Sequence, residues 1–409
     1  MHVPSLRQNV AWSFVGSVAL AVSQFAIIIA LSHLGDGDHA HRNGTWNWAL
    51  TLTGPVFVLG LLRLRQVQTT DARGEHSFAA YLQLRGATMF AGLLGIAAVV
   101  ALAYRDRTGL AILGVAVAKA CEGGSDVVYG YLGQRERMRQ VALSQLGRAI
   151  TSLALAGTTV ALTSSVALVA WAVAAVYAAW MIVDLRAVDA PLGPLDRAGV
   201  GALFRLAWPL GVVSAIGSLQ IYVPRYFVEY HTGRVEQGAF SNLIQILQLG
   251  TIVVSAMTTG ASARMARAAA ARDYHGLLRT LKVLVLGGLL LGAGAVIVSA
   301  TIGEWLLGLV FTAETARHAD VLVWLAVTSG LVWSYVFLGT TLDALRSFRV
   351  QPWIHGASTA VIAGAAALLV PSHGLVGAAW AMLIGFGVEC ALYVIVVAIP
   401  LRRLRGAAP

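Results

Sequence analysis

The chain has 409 residues, 58% of them hydrophobic and only 12% charged, with a formal net charge of +10. A soluble chain carries about 25% charged residues. The deficit, with a mean hydropathy of +0.74, excludes a water-soluble globular protein, a disordered chain and a disulfide scaffold. Crossing a bilayer takes about 20 apolar residues, so twelve crossings need about 240, which matches the hydrophobic share. The expected fold is an all-α polytopic membrane protein. In a soluble chain the positive charge would suggest nucleic acid; here it is assigned to cytoplasm-facing loops, and no nucleic-acid partner is expected.

In chain order, apolar runs between charged breaks predict spans near 10–33, 45–62, 84–104, 110–132, 141–162 and 165–183. The second half gives 203–228, 236–260, 281–303, 319–342, 353–371 and 375–399. The first run, behind Arg7, is too long for a signal-peptide core and reads as an uncleaved helix. Thr163 and Ser164 leave room only for a tight hairpin between the fifth and sixth spans. The longest break, about 184–202, holds Asp184, Asp189, Pro191, Gly193, Pro194 and Asp196 and reads as a linker. It divides the chain into lobes 1–190 and 191–409. With the N-terminus inside, inner segments carry 21 basic residues, whereas outer ones carry 5, Arg42, Arg105, Arg107, Arg234 and Arg317. That asymmetry places both termini in the cytoplasm.

Ordered echoes link the halves at offsets of 196 to 209. Trp12 and Gln24 match Trp208 and Gln220; His33 and Gly35 match His231 and Gly233. Arg73 and His76 match Arg272 and His275, and Ala170-Trp171-Ala172 matches Ala379-Trp380-Ala381. The pattern implies two pseudo-symmetric six-helix lobes related by an axis along the membrane normal, with a cavity between them near the midplane.

Charges within spans are expensive and each calls for a reason. Lys119, Glu122 and Asp126 share one stripe of the fourth span, continued by Tyr129. Lys119 and Glu122 can neutralise each other as an i,i+3 pair. Asp126 then either bonds a neighbouring helix or acts in proton or ion coupling. Arg225 follows Pro224, which should kink the seventh span. It either pairs with Glu229 and snorkels to the interface or offers a planar cation to a phosphate or carboxylate. Arg148 in the fifth span is a similar candidate, close enough to the cytoplasmic end to snorkel. In the eighth span Ser241, Asn242, Gln245 and Gln248 could knit helices together or hydrogen-bond hydroxyls. Glu389 is a second coupling candidate, Asp343 an interfacial cap and His355 a satisfied core histidine.

Cys121 and Cys390 lie in apolar runs without a CxxC, so neither disulfide nor zinc is indicated. The outer segment Asp36-Gly37-Asp38-His39-Ala40-His41 has metal-ligand residue types but no preorganised site, and no metal is expected. Asn43-Gly44-Thr45 matches a glycosylation sequon. Trp46, Trp48, Trp180, Trp305 and Trp353 fall near span ends, where belt tryptophans sit. With no P-loop, GxGxxG, HExxH or nucleophile elbow, neither a cofactor nor enzymatic activity is expected.

Several segments carry a resemblance. They are Gly54-Pro55-Val56-Phe57, the run Leu64-Arg65-Gln66-Val67-Gln68-Thr69-Thr70-Asp71, and Ala118-Lys119-Ala120-x-Glu122-x-x-Ser125-Asp126-x-x-Tyr129-Gly130. Further on come Pro224-Arg225-Tyr226-Phe227-Val228-Glu229, Gly238-x-Phe240-Ser241 and Gly374-Leu375-x-Gly377-Ala378-Ala379-Trp380-Ala381. In this order they resemble the polysaccharide repeat-unit (O-antigen type) flippases, in the superfamily that also holds the multidrug exporters. The resemblance implies transfer of an isoprenoid-pyrophosphate-linked oligosaccharide from the inner to the outer leaflet of a bacterial plasma membrane. It also implies alternating access coupled to protons or sodium, with pathway glycosyltransferases and a polymerase as partners. Arg225, Lys119 and Arg148 would then meet the pyrophosphate and Gln245 and Gln248 the sugars. Asp126, Glu122 and Glu389 would couple the ion. The first outer loop departs from the family's short apolar link.

The rival within the fold is an organic-cation antiporter, which should have acidic residues without cavity cations; Lys119 and Arg225 argue against it. A polymerase or ligase would need a larger outer loop. A peptidoglycan-precursor flippase would more often have fourteen spans.

Overall fold

The computed structural model describes residues 6–71, 74–190, 193–194, 196–345 and 350–406. Arg73, Pro191, Arg346 and Arg349 lie outside the described residues. Helices α1 (Leu6–His33), α2 (His39–Leu61), α3 (Leu64–Thr70), α4 (Phe78–Ala103), α5 (Arg107–Gln134), α6 (Met138–Thr163) and α7 (Val166–Arg186) come first. They are followed by α8 (Arg197–Thr232), α9 (Arg234–Ala270), α10 (Tyr274–Val310), α11 (Ala313–Ala316), α12 (Ala319–Ala344) and α13 (Gln351–Gly406). Among the described residues there is no strand, as hydrocarbon demands when every backbone group must be satisfied within its own segment.

Ten of these helical stretches are long and apolar enough to cross a membrane. Helix α5 is not among them, because Lys119, Glu122 and Asp126 dilute its apolar stretch. Helix α13 is one continuous assignment containing two arms that meet at Gly374, with φ 54° and ψ −128°. A side chain at that φ is strained, so glycine sets the reversal. Adding α5 and the second arm of α13 to the ten recovers the twelve expected crossings.

The chain forms two compact units, Met1–Ser218 and Leu219–Pro409. The division falls inside α8, beyond the linker read from the sequence at 184–202. In the first unit, the fifth-to-sixth hairpin is as short as expected. Ser164 takes a left-handed φ of 52°, and the Ser165 hydroxyl accepts from the Leu168 amide. Leu62 and Arg63 are also left-handed, at φ 47° and 50°. They end α2 and turn the chain into α3, a helix where the sequence suggested a loop. Leu62, Leu64, Tyr81, Val128, Leu132 and Leu203 form a buried cluster that fixes α3 against α4, α5 and α8.

The Asp/His segment proves to be a helix start. Asp38 caps α2 by accepting from the His41 amide at 2.9 Å, and Arg42 is buried against the His39 ring. Asn43 is buried and donates to Ser32 Oγ at 2.5 Å, so the sequon lies inside the fold. No cluster of three metal-ligating side chains occurs among the described residues. Asp71, outside the spans, accepts from the amides of Glu75 and His76 at 3.0 and 3.2 Å. Burial would raise its pKa, but these backbone donors and Gly74 together hold the carboxyl below its ordinary value.

In the second unit α10 and α12 approach through glycine. A Cβ on Gly292 would collide with the Gly330 backbone, and one on Gly288 with the Trp333 carbonyl. Such small-residue contacts are how membrane helices pack without a hydrophobic drive between them. Gly292→Val should lower stability by about 1–3 kcal/mol through overpacking. It should lower the unfolding temperature in detergent, whereas Gly294→Val, where a Cβ meets open space, should leave it near wild type.

Candidate functional site

The first unit gathers its polar side chains on α1, α5, α6 and α7. Lys119 Nζ lies 2.8 Å from Glu122 Oε2, the i,i+3 pair that the spacing allowed. Arg148 does not snorkel. It is fully buried, with its guanidinium carbon 5.4 Å from the Tyr129 ring centroid and 4.9 Å from that of Tyr177. Its Nη2 donates to the Tyr129 hydroxyl, which also meets Ser144 Oγ at 2.8 Å. Gln24 reaches the Tyr177 hydroxyl at 3.4 Å. Glu122 and Asp184 supply the negative charge facing Arg148. Asp184, read from the sequence as a linker residue, is buried in α7.

Asp126 is not surplus charge. Its Oδ2 accepts from Arg85 Nη2 at 3.1 Å, and its Oδ1 lies 3.5 Å from Arg65 Nη1. Arg85, one of the 21 basic residues assigned to the inner segments, is almost wholly buried and also donates to the Gly60 carbonyl at 3.1 Å. Asp126 therefore ties α3, α4 and α5 together. Nothing in the sequence marked Arg85 as buried, because it sits at the start of an apolar run.

In the second unit α8 continues through Pro224 to Thr232. Arg225 is 5% exposed, and its guanidinium carbon stands 5.3 Å from the Tyr222 ring centroid. Glu229 turns instead to Arg234, at 3.9 Å. Arg225 has no carboxylate within ion-pair distance among the described residues, and its Nε is buried without a hydrogen-bond partner. Along α9, Ser241 and Asn242 are buried, with Gln237 donating to Ser241 Oγ at 2.9 Å. Gln245 is half-buried and Gln248 exposed. The stripe thus divides: its first members are buried, and Gln248 is exposed.

Glu389 lies at the centre of a cluster that periodicity alone did not assemble. It accepts from Gln220 Nε2, and His355 Nδ1 is 3.2 Å from its Oε1. The Tyr393 hydroxyl is 3.3 Å from His355 Nε2, and Tyr335 stacks on Tyr393 at 5.7 Å. The repeat gave one clue. Gln24 and Gln220, paired in the sequence echo, each enter the buried polar cluster of their own unit. Asp343 accepts from Gln351 at 2.8 Å, joining the end of α12 to the start of α13.

Residues 76–263 match the model of a family described as polysaccharide biosynthesis protein. The capsular polysaccharide biosynthesis protein CapF of Staphylococcus aureus is 25% identical over 382 residues, covering 91% of this chain and 94% of the relative. An inward-facing multidrug resistance MATE family transporter of the MOP superfamily matches with a TM-score of 0.78 at 14% identity, over 95% of this chain and 96% of that one. The lipid II flippase MurJ, in an inward closed conformation, matches with a TM-score of 0.75 at 10% identity, over 95% and 87%. The protein is thus a multi-pass membrane protein that shares the fold of these two structures. Within that fold its sequence resembles the polysaccharide-biosynthesis proteins, as the ordered motifs implied.

Asp126→Ala should leave buried Arg85 short of a countercharge and cost up to about 3 kcal/mol, whereas Arg85→Met with Asp126→Leu should cost less than the single change. Unfolding in detergent measures both; strictly additive losses would mean that the pair is uncoupled.

Proposed function

We propose that the protein is a flippase that moves an isoprenoid-pyrophosphate-linked oligosaccharide from the cytoplasmic to the outer leaflet of a bacterial plasma membrane, by ion-coupled alternating access. The observation that carries this reading is Arg225. Arg85 pairs with a carboxylate and Arg148 hydrogen-bonds a phenol hydroxyl, whereas Arg225 has no carboxylate within ion-pair distance among the described residues and leaves its buried Nε without a hydrogen-bond partner. Leaving such a donor unmet is costly unless a ligand meets it, and a guanidinium fork matches the paired oxygens of a pyrophosphate. Similarity to polysaccharide-biosynthesis proteins supports the same class of cargo.

The cargo's parts require different surroundings. Its polyprenyl tail can stay in the bilayer, so only the sugars and pyrophosphate need a polar path. Lys119 is partly exposed and balanced by Glu122. Arg148 holds Tyr129 and Tyr177 in place more than it meets cargo, since both rings enclose it. Gln248 and Gln245 offer amides to sugar hydroxyls. Of the coupling candidates, Asp126 is held by two arginines and Glu122 by Lys119, which leaves Glu389 as the coupling group.

Arg225→Ala should lower flipping by about tenfold or more, as loss of a charge-assisted hydrogen bond of about 1.5–3 kcal/mol implies, with normal protein levels. Arg225→Lys should retain part of the activity. The readout is surface polysaccharide beside undisplayed lipid-linked glycan in a deletion strain carrying each variant. Wild-type flipping in Arg225→Ala would remove the role assigned to this residue. Drug sensitivity of the deletion strain without glycan accumulation would favour the organic-cation antiporter instead.

A further inference from the structure

We propose that the groove between the end of α10 and the short helix α11 binds the head group of a zwitterionic phospholipid, with Glu304 holding the ammonium and Arg317 the phosphate. This site shares no residue with the cargo and coupling groups named above.

The groove has a volume of about 900 Å³ and lies wholly within the second unit. It is open because its floor carries little side chain. Gly308 of α10 lines it with Ala313 and Ala316 of α11, and a Cβ on Gly308 would meet only the Ala316 methyl, at 3.8 Å. The α10 wall is apolar. Trp305 and Leu309 are 65% and 61% exposed, and Ile302 beside them is exposed too.

Its position in the helix sets its depth. The apolar run expected to cross the bilayer ends just before Glu304, and Trp305 has the side chain that favours the membrane boundary. The groove therefore lies at the level of the phospholipid head groups, in the outer leaflet if the loop charges orient the chain as expected. Leu309, Trp305, Ile302 and Val298 follow one another at steps of four, three and four residues. They form one exposed stripe that runs from the groove along α10. An acyl chain hanging from the groove has that stripe to lie on, a surface that a sugar or a free phosphate would not use.

The charges select the head group. The groove is lined by one acid and one base, Glu304 and Arg317. They border the same space, yet neither has an ion-pair partner among the described residues. The neighbouring His318 is already taken by Glu236, at 3.0 Å. A simple anion would answer Arg317 and be repelled by Glu304, and a simple cation would do the reverse. A head group carrying both charges answers both. Gly308 and Leu309 belong to the last turn of α10, whose partly negative end favours the ammonium on that side.

The test is native mass spectrometry of the full-length protein in detergent, titrated with dioleoyl phosphatidylethanolamine or with dioleoyl phosphatidylglycerol, which keeps the phosphate and lacks the ammonium. Glu304→Gln should weaken binding of the first lipid by about two- to fivefold, the range an exposed ion pair reaches, without weakening the second. Arg317→Gln should weaken both. Gly308→Leu, which fills the groove, should also weaken both, whereas Glu314→Gln, an exposed acid of α11 that does not line the groove, should bind as wild type does. Loss of neither lipid, or equal loss of both, in Glu304→Gln overturns the proposal, as does unchanged binding in Gly308→Leu. Glycerophosphoethanolamine, the head group without its chains, separates the two sources of this chemistry. If it competes as well as the whole lipid, the groove holds a soluble molecule and the lipid assignment falls. Glu304 is exposed, so the comparison of the two lipids stands even if Gly308→Leu does not fold.

Discussion

Hydrocarbon neither hydrates nor screens a charge, so each ionised side chain placed there needs its answer within the protein. Much of the interior follows from this constraint. Lys119 is answered by Glu122 one turn away, Asp126 by arginines from two other helices, and Arg148 by two aromatic rings and the acids beyond them. These pairings also hold helices in place. The Asp126 clamp joins α3, α4 and α5 at one point, and the short helix α3 depends on it together with the apolar cluster around Leu64.

Arg225 and Glu389 depart from that rule. Arg225 is buried without a counter-anion, and Glu389 is buried with only neutral or weakly basic groups around it. On the proposed function, Arg225 is the group that an anionic cargo would complete. A transporter needs a contact of this kind, because a site satisfied equally in every state cannot shift an equilibrium. The contrast between answered and unanswered charges is a better guide to function here than polarity itself.

The units resemble each other in construction. In the first, Gln24 on α1 enters a cluster with α5, α6 and α7; in the second, Gln220 on α8 enters one with α12 and both arms of α13. The two clusters hold a glutamine at matching places in the sequence echo, with different chemistry around it. Arginine and tyrosines fill one cluster, and carboxylate, imidazole and tyrosines fill the other. Similarity to both a MATE family transporter and MurJ in fold, beside sequence similarity to a capsular polysaccharide protein, suits a scaffold that varies its side chains more than its helices.

Span number, helical class and the hairpin at Thr163–Ser164 were legible in the sequence, because apolar run length and turn residues are local properties. The Lys119–Glu122 pair was legible for the same reason, since i,i+3 neighbours on a helix must meet. Helix α3 was not, because a left-handed pair at Leu62 and Arg63 has no compositional mark. Asp126 could be placed on a stripe, but its partners Arg65 and Arg85 come from other helices, and only packing brings them to it. Asp184 read as linker until α7 was seen to continue past it, and the neighbour that His355, read as a satisfied core histidine, finds in Glu389 comes only from the second arm of α13. The sequence alone determined which residues are costly in a membrane. The tertiary structure decided which of those costs are met, because a charge is neutralised by what lies within a few ångströms of it, whatever the separation along the chain.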